Sequence, residues 1–400
     1  MNGDEHRLFT DIAIILGASF PMLYLGRLLK LPEVIAYLVT GVLIGPHALG
    51  LIRATEQVET TAEVGVALIL FFIGLHVPMK RLRELGRTAL VSGFLQMALT
   101  VVGIVIVAIP LGFDLRHAML FGFLIALGST AVVLPILDSR DETGSPFAQR
   151  FLAVSLFQDF AVIPLILLVP AFAAGPHAIQ AHSIVIRLVV AIAGVILLVL
   201  AGRVVAPRLL ARIAAFRSRE LFTAGALVLI VGTIALAQRL GVSAALGAFA
   251  AGIIVGDTEF IHEVGGILRP FRDFLSALFF VSIGMLLQVS FVLENINAVI
   301  GVVIVVIVVK VIAAYPAFRA SGAIERTSIR AAFAVAPIGE FSFLIAQEAK
   351  RFEILGPREE QMFMTIAVVT LAMTPILVAV GGRTAAQLRS GRTEQPPERR

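Results

Sequence analysis

Asp159, Lys310 and Glu340 are ionisable residues set inside apolar sequence. Asp159 lies in residues 151–170, and the nearest charges along the chain are Arg150 before it and Arg187 after it. A carboxylate at bilayer depth costs about 3 kcal/mol on insertion scales and by default marks an ion or proton pathway. The competing reading is a structural carboxyl tied to a neighbouring helix. An acid in such a place can be protonated on one side of a membrane and cation-loaded on the other. Hard oxygen donors suit an alkali cation. Gln158 adjoins it, and its amide could bind a cation through oxygen or bond a neighbouring helix. Lys310 lies within the apolar residues 302–314. It needs a counter-ion there or must shed its proton. Snorkelling to the membrane surface is the alternative, and Asp159 or Glu340 is the favoured partner.

The elements that must carry these residues are transmembrane helices. The chain is 58% hydrophobic and 15% charged, with a mean hydropathy of +0.97, whereas soluble domains run to about 25% charged. Apolar runs of helix-crossing length recur, and strand-sized alternation is absent, which argues against a barrel. About thirteen spans are expected, near 8–26, 32–46, 60–77, 88–110, 116–137, 148–172, 183–205, 220–238, 242–256, 266–288, 295–317, 327–349 and 360–381. The fold class is therefore all-α and polytopic. Residues 383–400, rich in Arg, Glu and Pro, read as a disordered tail.

Two spans carry breaks. One reads Gly128-Ser129-Thr130-Ala131, and the other Pro337-Ile338-Gly339-Glu340. Proline removes a backbone donor and clashes with the preceding turn. Discontinuous helices meeting at mid-membrane would bring half-helix termini together, each with roughly half an elementary charge. Glu340 then reads as a brace for the positive ends more readily than as a cation ligand, and the Ser129 and Thr130 hydroxyls would bond freed backbone groups. Simple kinks are the alternative.

The chain also repeats itself. Residues 41–45 resemble 252–256, Leu70-Phe71-Phe72 resembles Leu278-Phe279-Phe280, and Gly128 matches Gly339. An offset near half the chain and an odd number of spans implies two halves of opposite orientation, as in many secondary transporters. Most of the 32 basic residues fall in loops on the cytoplasmic side if the N-terminus is outside, so N-out and C-in is expected.

Other chemistries lack support. There are no cysteines, which excludes disulfides and thiolate metal sites. The net charge of +5 belongs to cytoplasmic loops, and nucleic acid is not an expected partner. His76, His117, His177, His182 and His262 show no ligand spacing, so no metal is expected beyond a transported alkali cation at Asp159. No Walker, nucleophile-elbow or dinucleotide pattern is present; neither an enzyme nor a cofactor is expected. Residues 1–7 are polar, and the first apolar run has anchor length, so no cleavable signal peptide is expected.

Together these motifs resemble the CPA2 group of monovalent cation:proton antiporters, and most closely the Kef-type potassium/proton antiporters. The resemblance rests on Phe157-Gln158-Asp159 with Ile163-Pro164, on residues 128–131, 241–252 and 278–285, and on Gly339-Glu340-Phe341. It implies an NhaA-type inverted-repeat fold of thirteen helices with two discontinuous crossing helices. It implies a membrane domain over residues 1–382: dimer-forming scaffold helices in 8–77 and 220–288, a linker helix in 183–205, and an ion-carrying core in 88–172 and 295–381. It implies that Asp159 carries cation and proton by turns, and that Gln158 stands where sodium-preferring relatives have Asn or Asp. Lys310 and Glu340 would then serve the core. Potassium/proton exchange by alternating access in a homodimer follows, in a bacterial or archaeal cell membrane. The rivals are sodium/proton exchange on the same fold and a gated potassium channel in an antiporter-like shell. Kef-type proteins continue into a cytoplasmic nucleotide-binding domain that senses glutathione adducts. The resemblance stops short of that domain, implying a separate regulatory subunit or a piece of a longer protein.

Overall fold

A computed structural model describes every residue except 1, 30, 53–64, 66, 73, 76–78, 174–180, 241–243 and 389–400. The described secondary structure is helical, without a strand. The helices are α1 (Asn2–Leu28), α2 (Glu33–Ile44), α3 (Met79–Ala108), α4 (Leu115–Ala126), α5 (Thr130–Asp138), α6 (Pro146–Leu168), α7 (Ala181–Ala214), α8 (Arg219–Arg239), α9 (Ala244–Gly256), α10 (Ile261–Leu286), α11 (Val289–Glu294), α12 (Ile296–Ala320), α13 (Glu325–Val335), α14 (Phe341–Arg351), α15 (Pro357–Ala372) and α16 (Thr374–Gln387). Much of the expected third span, part of the 241–252 motif and the tail beyond Leu388 lie outside the described residues.

Among the described residues seven helices are long and apolar enough to cross a bilayer, or eight if the bent pair α15–α16 is one span. Of the other expected spans, α2 and residues 246–256 are shorter apolar helices, 327–349 is interrupted at residues 336–340, and 266–288 is the continuous 26-residue α10, which carries Arg269, Arg272 and Asp273. The last span was expected to be continuous, yet it bends by 56° at Met373. Pro375 in the first turn of α16 is the cause, since its ring excludes an unbroken helix through Thr374.

Side-chain polarity is arranged for lipid. On α12, Ile300, Ile304, Val308 and Ile312 recur every fourth residue and are exposed. The opposite face (Val299, Val303, Val306, Lys310, Ala313 and Ala314) is buried. Four-residue spacing puts side chains on one face of a helix, so the helix turns its apolar stripe outward and Lys310 inward. Polar N-caps begin the helices near the breaks. Ser129 accepts the Val132 N–H at 3.3 Å to start α5. Ser145 accepts that of Ala148 at 3.4 Å to start α6, ahead of Pro146, where a missing donor costs nothing.

Contacts divide the chain into two compact units. The first comprises residues 1–53, 83–179 and 283–400, and the second residues 54–82 and 180–282. The second is cored by Phe71, Leu75, Leu210, Phe222, Ile230 and Ile254 with their neighbours. Each unit contains a very close helix approach. In the first, a Cβ on Gly284 would lie 2.2 Å from the Leu38 carbonyl oxygen, and in the second a Cβ on Gly74 would lie 2.2 Å from that of Phe249. Only glycine permits either approach.

Candidate functional site

The site is in the first unit, where the two breaks cross. Residues 127–129 interrupt the run from α4 to α5, and residues 336–340 interrupt the run from α13 to α14. Leu127 and Ser129 are extended, so the backbone there cannot satisfy itself within a helix. The breaks satisfy each other instead. The Gly339 N–H donates to the Leu127 carbonyl at 3.1 Å. A Cβ on Gly339 would lie 2.2 Å from the Gly128 carbonyl oxygen. The two chains therefore touch backbone to backbone.

Two half-helices, α4 and α13, end at this crossing, while α5 and α14 begin there. The ends carry partial negative charge and the beginnings partial positive charge. Lys310, with no exposed surface, reaches in from α12. Its Nζ donates to the Leu127 carbonyl at 2.7 Å and the Pro337 carbonyl at 2.8 Å. The expected carboxylate partner is replaced by these two carbonyls. The physical reason is that broken helices expose acceptors at their C-terminal ends, and one ammonium can satisfy both breaks at once. Snorkelling does not occur, because Lys310 lies on the buried face of its helix.

Glu340 lies at the opposite, positive ends. Its Oε2 accepts from the Ser129 hydroxyl at 2.8 Å, and the Ala131 N–H faces the same carboxylate. Ser129 and Glu340 are 211 residues apart. Thr130 differs from expectation: its hydroxyl is buried and makes no hydrogen bond. The freed amide of Ile338 goes to the Thr370 hydroxyl on α15 at 3.2 Å, and the Ser342 hydroxyl bonds the Leu124 carbonyl at 2.6 Å.

Gln158 is drawn into the crossing. Its Oε1 accepts the Gly128 N–H at 3.0 Å. Its Nε2 donates to the Ala126 carbonyl at 3.1 Å and to Gln96 Oε1 at 2.6 Å. Both ends of the amide are thus engaged. Asp159 beside it is not. Its Oδ1 is buried without a hydrogen-bond partner, and so is the Ser155 hydroxyl. Ser155 and Asp159 are four apart on α6 and share a helix face. An unpartnered buried oxygen costs about 1–3 kcal/mol, so oxygens left this way on Asp159, Ser155 and Thr130 call for a function.

Sequence reasoning did not single out Ser155, Gln96 or Thr370. The available signal was an isolated polar residue in apolar helix sequence, four residues from Asp159 for Ser155 and level with Gln158 only in space for Gln96.

Comparison with known proteins gives the chain a lineage. The family described as sodium/hydrogen exchanger, transmembrane, matches residues 13–380. The chain is 32% identical to K(+) efflux antiporter 1, chloroplastic, of Arabidopsis thaliana, over 97% of this chain and 33% of that protein. It is 31% identical to a glutathione-regulated potassium-efflux system protein of Haemophilus influenzae, over 92% of this chain and 60% of that one. The chain thus spans a third to three fifths of the length of these relatives. In fold it is similar to the sodium proton antiporter MjNhaP1 of Methanocaldococcus jannaschii, with a TM-score of 0.71, 17% identity, and coverage of 96% of this chain and 99% of that one. The match over residues 13–380 shows that the chain belongs to the transmembrane sodium/hydrogen exchanger family.

Proposed function

We propose that this chain is a secondary-active antiporter exchanging one potassium ion for one proton at Asp159. The observation that carries the proposal is the buried, unpartnered Oδ1 of Asp159 beside a crossing in which Gln158, Lys310, Ser129 and Glu340 are paired. The carboxyl releases its proton as the cation binds and takes one up as the cation leaves, so a single charge occupies the site in either state. Ser155 Oγ and Thr130 Oγ1, both unpartnered, are the neutral oxygens offered to the cation. Gln158, Lys310 and Glu340 hold the broken helices in place. Pro337, Gly128 and Gly339 shape the crossing, and Ser129 links it to Glu340.

The transport cycle is alternating access. The core helices in 88–172 and 295–381 move against scaffold helices in 8–77 and 220–288, with residues 183–205 linking them, in a homodimer. Two halves of opposite orientation underlie it, a reading supported by the like contacts of Gly284 with Leu38 and Gly74 with Phe249, near corresponding repeat positions. The protein lies in a bacterial or archaeal cell membrane, N-terminus out and C-terminus in. A separate cytoplasmic regulator is a candidate partner. Potassium is preferred over sodium because the relatives near 30% identity are named for potassium. The sodium-named neighbour is alike in fold alone.

The test is proton movement in proteoliposomes on addition of potassium or sodium. Wild-type protein is expected to answer potassium and Asp159→Asn to answer neither. Persistent potassium leak through Asp159→Asn would identify a channel instead, and a response to sodium alone would identify a sodium exchanger.

A further inference from the structure

Gln96, on α3, is buried completely and joins the crossing through its hydrogen bonds to Gln158 and the Ala126 carbonyl. Its Oε1 accepts from Gln158 Nε2 at 2.6 Å. Its own Nε2 donates to the Ala126 carbonyl at 3.1 Å and to the Thr100 hydroxyl at 3.1 Å. Ala126 O, the last carbonyl of half-helix α4, therefore receives both glutamine amides.

Donor and acceptor chemistry allows one arrangement. Gly128 N–H is only a donor, so Gln158 must turn its oxygen there. Its nitrogen then faces Ala126 O and Gln96, and Gln96 must answer with oxygen. Gln96 nitrogen is left for Ala126 O, which is only an acceptor. Each amide fixes the orientation of the other. Gln158 could otherwise rotate and present its oxygen to the cation beside Asp159, releasing Gly128, which leads directly into Ser129 and Thr130.

Resting on the antiport reading, we propose that Gln96 is a positioning residue for the transport site: it locks the Gln158 amide onto the α4–α5 break, so that the cation is received by Asp159 with the Ser155 and Thr130 hydroxyls and not by the Gln158 oxygen. The groups that set cation affinity would then extend one helix beyond the crossing.

The discriminating substitution is Gln96→Glu. A protonated carboxyl offers one donor and one acceptor, and so reproduces the bonds to Ala126 O and Gln158. An ionised carboxylate only accepts, and cannot serve Ala126 O. The ionisable groups at or beside the crossing are Asp159 on α6, Lys310 on α12 and Glu340 at the second break. Each is present in wild type too, so the quantity to read is the KM for potassium relative to wild type at each pH. Gln96→Leu is expected to raise KM about five-fold at every pH, the worth of one net hydrogen bond, with turnover per folded protein little changed. Gln96→Glu is expected to match wild type at the acid end and to approach Gln96→Leu at the alkaline end.

Unchanged KM in both variants, or less folded protein with an unaltered pH profile, would overturn the inference and leave antiport standing. If Gln96→Leu does not fold, Gln96→Glu alone decides by its pH-dependent KM. Absence of cation-driven proton movement in wild-type protein would overturn the antiport reading, and this inference with it.

Discussion

At the scale of single residues, Lys310 is the clearest case of a side chain whose meaning changes with its partners. In an apolar run it reads as half of an ion pair. In the fold it closes two helix ends, at 2.7 and 2.8 Å. A cation that carries charge across the membrane would have to leave its partners in each cycle, whereas one that caps two backbone carbonyls holds the breaks still. Lys310→Met is therefore expected to lower stability by about 1–3 kcal/mol, the cost of leaving the Pro337 carbonyl without a donor, because the Leu127 carbonyl keeps the Gly339 N–H. Exchange per folded molecule should persist. Thermal unfolding in detergent with transport in proteoliposomes measures both. Unchanged stability would contradict the capping role, and loss of all exchange in well-folded protein would make Lys310 a carrier. The ionisable residues were legible in the sequence because charge is costly at that depth. Their pairing was not, because the carbonyls that receive Lys310 exist only where two helices distant in sequence break at the same place. Gln96, Ser155 and Thr370 carry no charge, and a lone Ser, Thr or Gln in a helix looks ordinary until its bonds are seen.

At the scale of elements, the two breaks were legible and the third was not. Gly128-Ser129 and Pro337-Ile338-Gly339 combine a helix breaker with polar or flexible neighbours, a double signal. Pro375 gave one signal inside an otherwise continuous apolar run, and a lone proline is often absorbed as a kink. What no propensity conveys is how close the broken segments come. Gly339 has no room for a Cβ: it would sit 2.2 Å from Gly128 O, a backbone atom that cannot rotate aside. Gly301, exposed on α12, has nothing within 4 Å. Gly339→Ala is expected to push the half-helices apart and leave little folded protein. Gly301→Ala should be neutral or stabilising by up to about 1 kcal/mol, the helix preference of alanine over glycine. Size-exclusion profiles and melting curves of the two variants, side by side, measure the contrast. Equal behaviour would mean that the crossing is looser than its backbone contact implies.

At the scale of the whole molecule, the sequence speaks through averages: hydropathy over long runs, and the distribution of arginine and lysine among loops. These averages do not depend on any single contact, which is why membrane character was legible without a structure. The same charges supply the expected orientation, since basic loops resist translocation. On that rule the α11–α12 corner, with its exposed Glu294, lies outside, and the end of α16, with its exposed Gln387, lies inside. The absence of native cysteine makes one introduced thiol an unambiguous reporter. Glu294→Cys should react with a membrane-impermeant maleimide in intact cells, whereas Gln387→Cys should react only after the membrane is opened. Neither position lies in the crossing, so transport in both variants should stay near wild type and certify the fold being labelled. The reverse labelling pattern would turn the molecule over, reassigning every loop to the other side of the membrane.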